Sequence, residues 1–151
     1  MAFRHSIADG DVARIQGVLE RLMADAGCAA VLLIARGGET LAAAGAPQAL
    51  DTTAVAALAA SGFGSTAPMA QLLGEREFSA VIHEGARQSL HVSAVDEATI
   101  LIAVFDERTT VGMVRVFARE AARKLSAILD EARGPGRSSG GRHGRSARHG
   151  T

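Results

Sequence analysis

The spacing of apolar residues divides the chain into three helical segments and five strands. Apolar side chains recur every three or four residues in the helical segments, as they do along one face of an α-helix. Strands 29–35 and 99–105 are continuously apolar, which is typical of strands covered on both faces. In chain order we predict helix 9–26, strands 29–35 and 39–44, helix 51–73, strands 78–83, 88–95 and 99–105, and helix 110–132.

This order, α-β-β-α-β-β-β-α, predicts an α+β fold. The two continuously apolar strands belong in the middle of a sheet, each flanked by the strand with which it forms a hairpin. We therefore expect a five-stranded, mostly antiparallel sheet in the order 2-1-5-4-3, with helices on both faces. Strand 78–83 is then left at an edge, where an unpaired backbone invites pairing with a second copy of the chain.

The segment 52–74 contains no charged residue and is long enough to cross a membrane. Its apolar residues are largely Ala, which contributes little transfer energy, and several hydroxyl side chains accompany them, so we predict no membrane span. We expect a helix that is kinked or loosened in its second half, because Gly62, Gly64 and Pro68 interrupt it.

Small residues recur every four positions in this segment, at Ala56, Ala60 and Gly64, and Ala67 or Pro68 extends the line. One interpretation is close packing of the helix on its own sheet. The other is a second exposed face that packs on another subunit or a partner, because an uncharged helix of this length must hide more than one face. Both interpretations can hold at once.

A glycine-rich motif in the same segment raises the question of a cofactor. Residues 62–67 match the dinucleotide-binding pattern G-x-G-x-x-A, with Glu84 about twenty residues further on. The pattern requires a strand before it and a helix after it, whereas a helical segment precedes it here and Pro68 follows at once. We therefore predict no cofactor and favour small residues that let another backbone come close.

Candidate chemistry elsewhere is sparse. His83, Glu84 and His91 lie on two neighbouring strands, but no Cys or Asp completes a coordination sphere, so we favour polar residues on an edge strand and predict no metal. Cys28 has no His nearby in the sequence. The chain also lacks the G-x-S-x-G and G-x-x-x-x-G-K-[ST] motifs, so we predict neither a catalytic centre nor a GTPase.

Charge divides the chain into two parts. From Arg133 onward there are five Arg and no acidic residue, which leaves residues 1–132 with eleven basic and sixteen acidic residues, a net charge of −5. We predict a folded domain at 1–132 and a disordered basic tail at 133–151. The tail lacks aromatic residues for base stacking, which disfavours nucleic-acid binding. One cysteine and the lack of an apolar leader favour the cytoplasm.

Six short stretches, in a fixed order, carry a family resemblance. They are Leu50-Asp51-Thr52-Thr53, Ala70-Gln71-Leu72-Leu73-Gly74-Glu75, Phe78, His83-Glu84-Gly85-Ala86, Ser89-Leu90, and Phe105-Asp106-Glu107-Arg108-Thr109-Thr110. The series, together with the predicted order of elements, resembles the bacterial MglB-type members of the roadblock/dynein light chain family. The similarity covers roughly residues 8–132.

The resemblance implies a function in regulation. Members of this type are homodimers that bind a small Ras-like GTPase, MglA, and stimulate its GTP hydrolysis in cell polarity, and they are not enzymes themselves. They act by remodelling the switch loops of the GTPase and need no arginine finger.

The resemblance also implies two contact surfaces, because family members dimerise through the second helix and third strand and offer the GTPase a surface that includes the second helix. By position, the dimer contacts are Phe78, Ala80, Val81, Ile82 and His83. By position, the contacts with the GTPase are Ala56, Ala60, Gly64, Ala67 and Pro68.

Two features depart from the family. Pro68 stands where members commonly have a small residue, and the C-terminal extension is basic and Gly-rich, so an effect on nucleotide exchange is not carried over. Two alternatives stay open: a scaffold of the same fold that binds a GTPase without accelerating hydrolysis, and a small-molecule sensor on a profilin-like sheet.

Overall fold

The computed structural model describes residues 8–45 and 50–134, which contain four helices and five strands. Every predicted strand and helix is found, with the predicted helix 51–73 divided in two. The elements are α1 (Asp9–Ala26), β1 (Ala30–Ala35), β2 (Thr40–Ala44), α2 (Thr52–Ser65), α3 (Ala67–Leu72), β3 (Ala80–Glu84), β4 (Gln88–Ala94), β5 (Thr99–Asp106) and α4 (Val111–Ala132).

The five strands form one sheet in the order β2-β1-β5-β4-β3, and every neighbouring pair is antiparallel. The predicted order is therefore confirmed. Leu32 of β1 lies opposite Ile102 of β5, which in turn lies opposite Val92 of β4, and all three are buried. The continuously apolar runs occupy the middle of the sheet because they are covered on both faces.

Helices cover the two faces of the sheet, so the core has two parts. On one face, α1 and α4 pack side chains such as Leu19 and Leu125 against Leu101. On the other face, α2 packs Phe63 against the side of the sheet that carries Leu32. The alternating faces of β1 and β5 thus serve two separate clusters, which explains why both strands lack polar residues.

The predicted kink is a complete break between α2 and α3 at Thr66. Pro68 has no backbone N–H to continue the ladder of α2, and it lies in the first turn of α3, where that N–H is not required. The hydroxyl groups of Ser65 and Thr66 donate to the carbonyls of Gly62 and Phe63, at 2.8 and 2.7 Å. These contacts satisfy carbonyl groups that the end of α2 leaves without helical partners.

The described residues bear on two predictions, the domain boundary at Arg133 and the lack of a membrane span. Arg133, where the predicted tail begins, ends α4 and forms an ion pair with Asp96 at 2.7 Å, so it belongs to the folded body. Residues 135–151 lie outside the described residues, and their disorder stays a prediction. Within 8–45 and 50–134, no helix is long and apolar enough to cross a membrane.

Candidate functional site

The inner face of α2 and α3 is built from small residues and one aromatic ring. Ala56, Ala60, Phe63 and Ala70 are buried. Alanine at these positions lets the helices lie close to the sheet, and Phe63 fills the remaining space beside the central strands. The carboxylate of Asp51 starts α2 by accepting a hydrogen bond from the N–H of Ala54 at 3.0 Å.

The outer face of the same two helices carries large apolar side chains in contact with solvent. Leu58, Met69, Leu72 and Leu73 are 73%, 55%, 87% and 71% exposed. We call these four residues the apolar surface. Single exposed leucines are common on proteins, but four large exposed side chains in one uncharged segment make this surface a candidate contact site.

The structure corrects part of the predicted GTPase contact. Ala56 and Ala60 are buried against the sheet and cannot touch a partner in this arrangement. Gly64 and Pro68 are exposed and Ala67 is half-buried, all three near the break between α2 and α3. The four-residue repeat therefore belongs partly to the inner face, where Ala56 and Ala60 pack on the sheet. The line of small residues does not continue past the break, because α2 ends at Ser65.

Sequence reasoning missed the four residues of the apolar surface. Their signal was present in the same uncharged segment, since Leu58 is two positions from both Ala56 and Ala60 and so faces away from them on a helix. The prediction followed the small residues, and two of these, Ala56 and Ala60, pack on the sheet. The large residues opposite them were the stronger indication of a partner, because burying a leucine side chain contributes about 1.5–3 kcal/mol.

Strand β3 offers a second contact surface at the edge of the sheet. It pairs with β4 on one side, and no other strand among the described residues pairs with its outer side. Ala80, Val81 and Ile82 are half-buried and His83 is exposed, whereas Phe78 is half-buried and lies just before the strand. This edge is where the dimer contact was predicted.

The opposite edge of the sheet differs because it is partly occupied. The side-chain amide of Gln16 on α1 donates to the carbonyl of Ala43 on β2, at 2.9 Å. Within the described residues, no side chain makes such a bond to the backbone of β3. The edge of β3 is therefore the freer of the two for pairing with another strand.

Arg36 connects α2 to the chain that leads into β3. Its guanidinium donates to both carboxylate oxygens of Glu77, at 2.8 and 3.1 Å, and to the carbonyl of Asp96, at 2.8 and 3.2 Å. It also lies over the ring of Phe63, 5.7 Å from the centroid. The hydrogen bonds from Arg36 lower the pKa of Glu77. Sequence reasoning missed this contact, since its partners are far apart in the chain.

The histidines considered as metal ligands point away from each other. In the β3–β4 register, His83 lies opposite Leu90 and His91 opposite Ile82, so the two histidines are on opposite faces of the sheet. Among the described residues, no group of His, Cys, Asp and Glu could hold a metal ion. The interpretation as polar residues on an edge strand is wrong for His91, which lies on the inner strand β4 and is only 2% exposed.

Within the described residues, neither the glycine-rich motif nor Cys28 forms a binding or catalytic site. Residues 62–67 span the end of α2 and the break, with a helix before them rather than a strand. A methyl group placed on Gly62 or Gly64 would meet no atom within 4 Å, so close approach of another backbone is not seen within the described residues. Burial raises the pKa of the Cys28 thiol to about 11, which keeps it protonated and unreactive at neutral pH.

A cavity of about 880 Å³ opens on the α2 side, at the end of the sheet where β5 finishes. Its floor is one row across four strands, formed by Ala30, Val104, Leu90 and His83. Asp106 lies at its rim and is paired with Arg108 at 3.0 Å. The cavity exists because α2 covers β1, β2 and β5 and leaves this part of β3 and β4 open.

Comparison with known proteins decides the family. Residues 14–105 match the Roadblock/LC7 domain. The chain belongs to the roadblock/LC7 family. No curated protein sequence matches it.

Solved structures similar to this roadblock domain include three MglB proteins. MglB from Myxococcus xanthus is 36% identical with a TM-score of 0.73, covering 78% of this chain and 96% of that one. The gliding protein MglB from Thermus thermophilus is 32% identical with a TM-score of 0.78, covering 83% and 95%. An MglB with a tetrameric arrangement is 34% identical with a TM-score of 0.79, again covering 83% and 95%.

A more distant likeness concerns the fold alone. Profilin II from Acanthamoeba castellanii is 17% identical with a TM-score of 0.55, covering 74% of this chain and 96% of that one. The predicted profilin-like sheet is thus confirmed as an architecture. Sheets of this kind serve different functions, so the contact surfaces described above must carry the functional argument.

Proposed function

We propose that the protein is a homodimer that binds a small Ras-like GTPase and stimulates its GTP hydrolysis, acting in cell polarity or motility in the cytoplasm. The observation that carries this proposal is the apolar surface on α2 and α3, together with the unpaired edge of β3. Likeness to MglB proteins over nearly their whole length supports the same interpretation.

The dimer part of the proposal rests on the free edge of β3 and on its link to α2. Arg36 joins Phe63 of α2 to Glu77, which lies shortly before β3, so helix and edge are held in a fixed relation. Two copies that pair along β3 would continue the sheet and place both α2 helices on the same face of it. Such a dimer presents the apolar surfaces of both copies on one side of the sheet, where a GTPase can reach them.

The activation part follows from the chemistry of the surface. No charged residue lies between Thr52 and Gly74, so these helices cannot insert an arginine into the nucleotide site of a partner. An apolar contact can instead hold the switch loops of the GTPase in one conformation. The residues of the GTPase then orient water and stabilise the transferring phosphoryl group, and this chain itself is not the enzyme.

The experiment is a GTP hydrolysis assay with a small Ras-like GTPase of the MglA type. We expect the protein to raise the rate of hydrolysis and to leave GTP unchanged when the GTPase is omitted. Gly64→Arg should reduce the stimulated rate about tenfold or more, because a charge buried in an apolar contact costs several kcal/mol. The exposed position of Gly64 and the free space around it let the variant fold.

Gly17→Arg is the matched control. Gly17 is also an exposed helical glycine with free space around it, but it lies on α1, on the opposite side of the sheet. The Gly17→Arg variant should stimulate GTP hydrolysis as strongly as the unaltered protein does. Equal loss in both variants, or full activity of Gly64→Arg, would contradict the proposed surface. Binding without any change in rate would favour the scaffold alternative.

The cavity beside β3 favours a second candidate, a small-molecule sensor. Its volume of about 880 Å³ lies within the range of ligand pockets, and polar groups stand at its rim. A compound that raises the melting temperature of the protein without any GTPase would support this function. If β3 pairs with a second copy, the open side of the cavity next to His83 lies beside the dimer contact.

A further inference from the structure

A second groove, on the opposite face of the sheet, has the chemistry of an anion site. It runs between α4 and strands β3 and β4 and has a volume of about 440 Å³. The groove is separate from the proposed GTPase contact, because α2 and α3 lie on the other face, but its lining includes Ala80 and Ile82 of the proposed dimer edge.

Three arginines form one wall of this groove. Arg115, Arg119 and Arg123 follow each other at intervals of four along α4, so they share one side of the helix and extend over about 12 Å. None of them makes an ion pair or a hydrogen bond with the described residues, and no acidic residue from that part of the chain lines the groove. Six other arginines do form ion pairs: Arg14, Arg21, Arg36, Arg76, Arg108 and Arg133.

The floor of the groove contains buried polar groups without partners. His91 and Ser93 are 2% and 6% exposed, and neither imidazole nitrogen nor the hydroxyl makes a hydrogen bond within the described residues. A neutral imidazole and a hydroxyl can each donate one hydrogen bond. Buried polar groups are nearly always satisfied, so these donors indicate an acceptor that reaches the groove from outside.

The remaining segments of this chain supply no carboxylate side chain that could pair with the three arginines. Residues 1–7, 46–49 and 135–151 contain no Asp or Glu. The tail is basic and would be repelled by the arginine wall. Charge complementarity therefore favours an acidic segment of a partner protein as the occupant.

We propose that this groove binds an extended acidic segment of a partner protein. Carboxylates on alternate residues of an extended peptide are about 6.8 Å apart, close to the spacing of about 6 Å between side chains four apart on a helix. Successive carboxylates can thus pair with Arg115, Arg119 and Arg123. Arginine suits this role because its planar donors match a carboxylate.

The probe is a fluorescein-labelled peptide of about eight residues in which glutamate alternates with alanine, followed by fluorescence anisotropy. We expect the full-length protein to bind it and to ignore the same peptide with glutamine in place of glutamate. The triple variant Arg115→Gln, Arg119→Gln, Arg123→Gln should weaken binding about tenfold or more.

The matched control carries the same loss of charge outside the groove, as Arg21→Gln, Arg76→Gln, Arg87→Gln. It should bind within about twofold of the unaltered protein. Equal weakening in both triple variants would reduce the effect to net charge and overturn the proposal. Displacement of the peptide by inorganic phosphate at equal concentration would overturn it as well, by showing a simple anion site.

A second readout locates the peptide. The imidazole resonances of His91 should shift when the peptide is added, because this ring lies at the floor of the groove. Binding without any change at His91 would place the peptide elsewhere and contradict the proposal.

Discussion

His91 illustrates how a single residue can make stability depend on pH. Burial, and then the positive charge of Arg115, lower the pKa of its imidazole below the ordinary value. The folded protein therefore holds His91 neutral, whereas the unfolded chain takes up a proton below about pH 6.5. The stability contributed by neutral His91 is complete above that pH and is lost as the pH falls toward the lowered pKa.

This gives a prediction for the free energy of unfolding between about pH 5 and 7. His91→Leu should reduce the slope by up to about 1.4 kcal/mol per pH unit, the limit for one proton. Urea unfolding at several pH values measures it. Ser93→Ala is the control, because it changes a buried polar side chain on the same strand that does not titrate, and it should leave the slope unchanged. A slope that survives in His91→Leu would contradict the assignment.

Arg36 should stabilise the fold through its hydrogen bonds to Glu77 and to the carbonyl of Asp96. Arg36→Lys keeps the charge but cannot bind Glu77 with two parallel bonds while also reaching the carbonyl of Asp96. We expect the free energy of unfolding to fall by about 1–2 kcal/mol in urea titrations. Arg21→Lys, at an exposed ion pair on α1, should change it by less than about 0.5 kcal/mol. Equal losses of unfolding free energy in the two variants would show that the Arg36 contacts stabilise the fold no more than an exposed ion pair does.

Individual site residues were the hardest to predict from the sequence. Ala56 and Ala60 were assigned to the partner surface, but alanine is equally suited to close packing, and only the three-dimensional arrangement separates the two roles. The environment of His91 was equally hidden. Its burial depends on α4, which begins twenty residues later in the chain.

For the helices and strands, the spacing of apolar residues predicted each element, but it did not predict where helix 51–73 is interrupted. The helix 51–73 was expected to kink, and the structure breaks it at Thr66 because Pro68 can begin a helical turn but cannot continue one. The predicted strand 78–83 is Ala80–Glu84, since Phe78 precedes the edge rather than pairing in it.

The edge of β3 leads to a prediction for the oligomeric state. Ile82 is the middle residue of β3, so in a symmetric antiparallel pairing centred on it the side chain meets its own copy. Ile82→Lys would place two like charges there and should raise the dimer dissociation constant about tenfold or more in sedimentation equilibrium.

Thr40→Lys supplies the control for this experiment. Thr40 is half-buried on β2, the opposite edge strand. The Thr40→Lys substitution should therefore leave the dimer dissociation constant unchanged. A melting temperature above the assay temperature for both variants ensures that folded proteins are compared. A monomeric unaltered protein, or equal effects of both substitutions, would contradict pairing through β3.

For the whole molecule, the order of elements and the topology of the sheet followed from the sequence. Two continuously apolar strands had to be central, and hairpin connections then left few arrangements of the others. The contact surfaces did not follow to the same degree. A free edge and an exposed face depend on what the remaining chain covers, which local patterns do not determine.

The central claim is that the outer face of α2 and α3 contacts a GTPase. Two methionines test it directly, because Met69 belongs to the apolar surface and Met113 lies on α4, at 55% and 45% exposure. Dilute peroxide oxidises exposed methionines, and mass spectrometry gives the rate at each site. Adding the Ras-like GTPase loaded with a non-hydrolysable GTP analogue should slow oxidation of Met69 several-fold and leave the rate at Met113 unchanged. An unchanged rate at Met69 in a complex that has demonstrably formed would contradict the account.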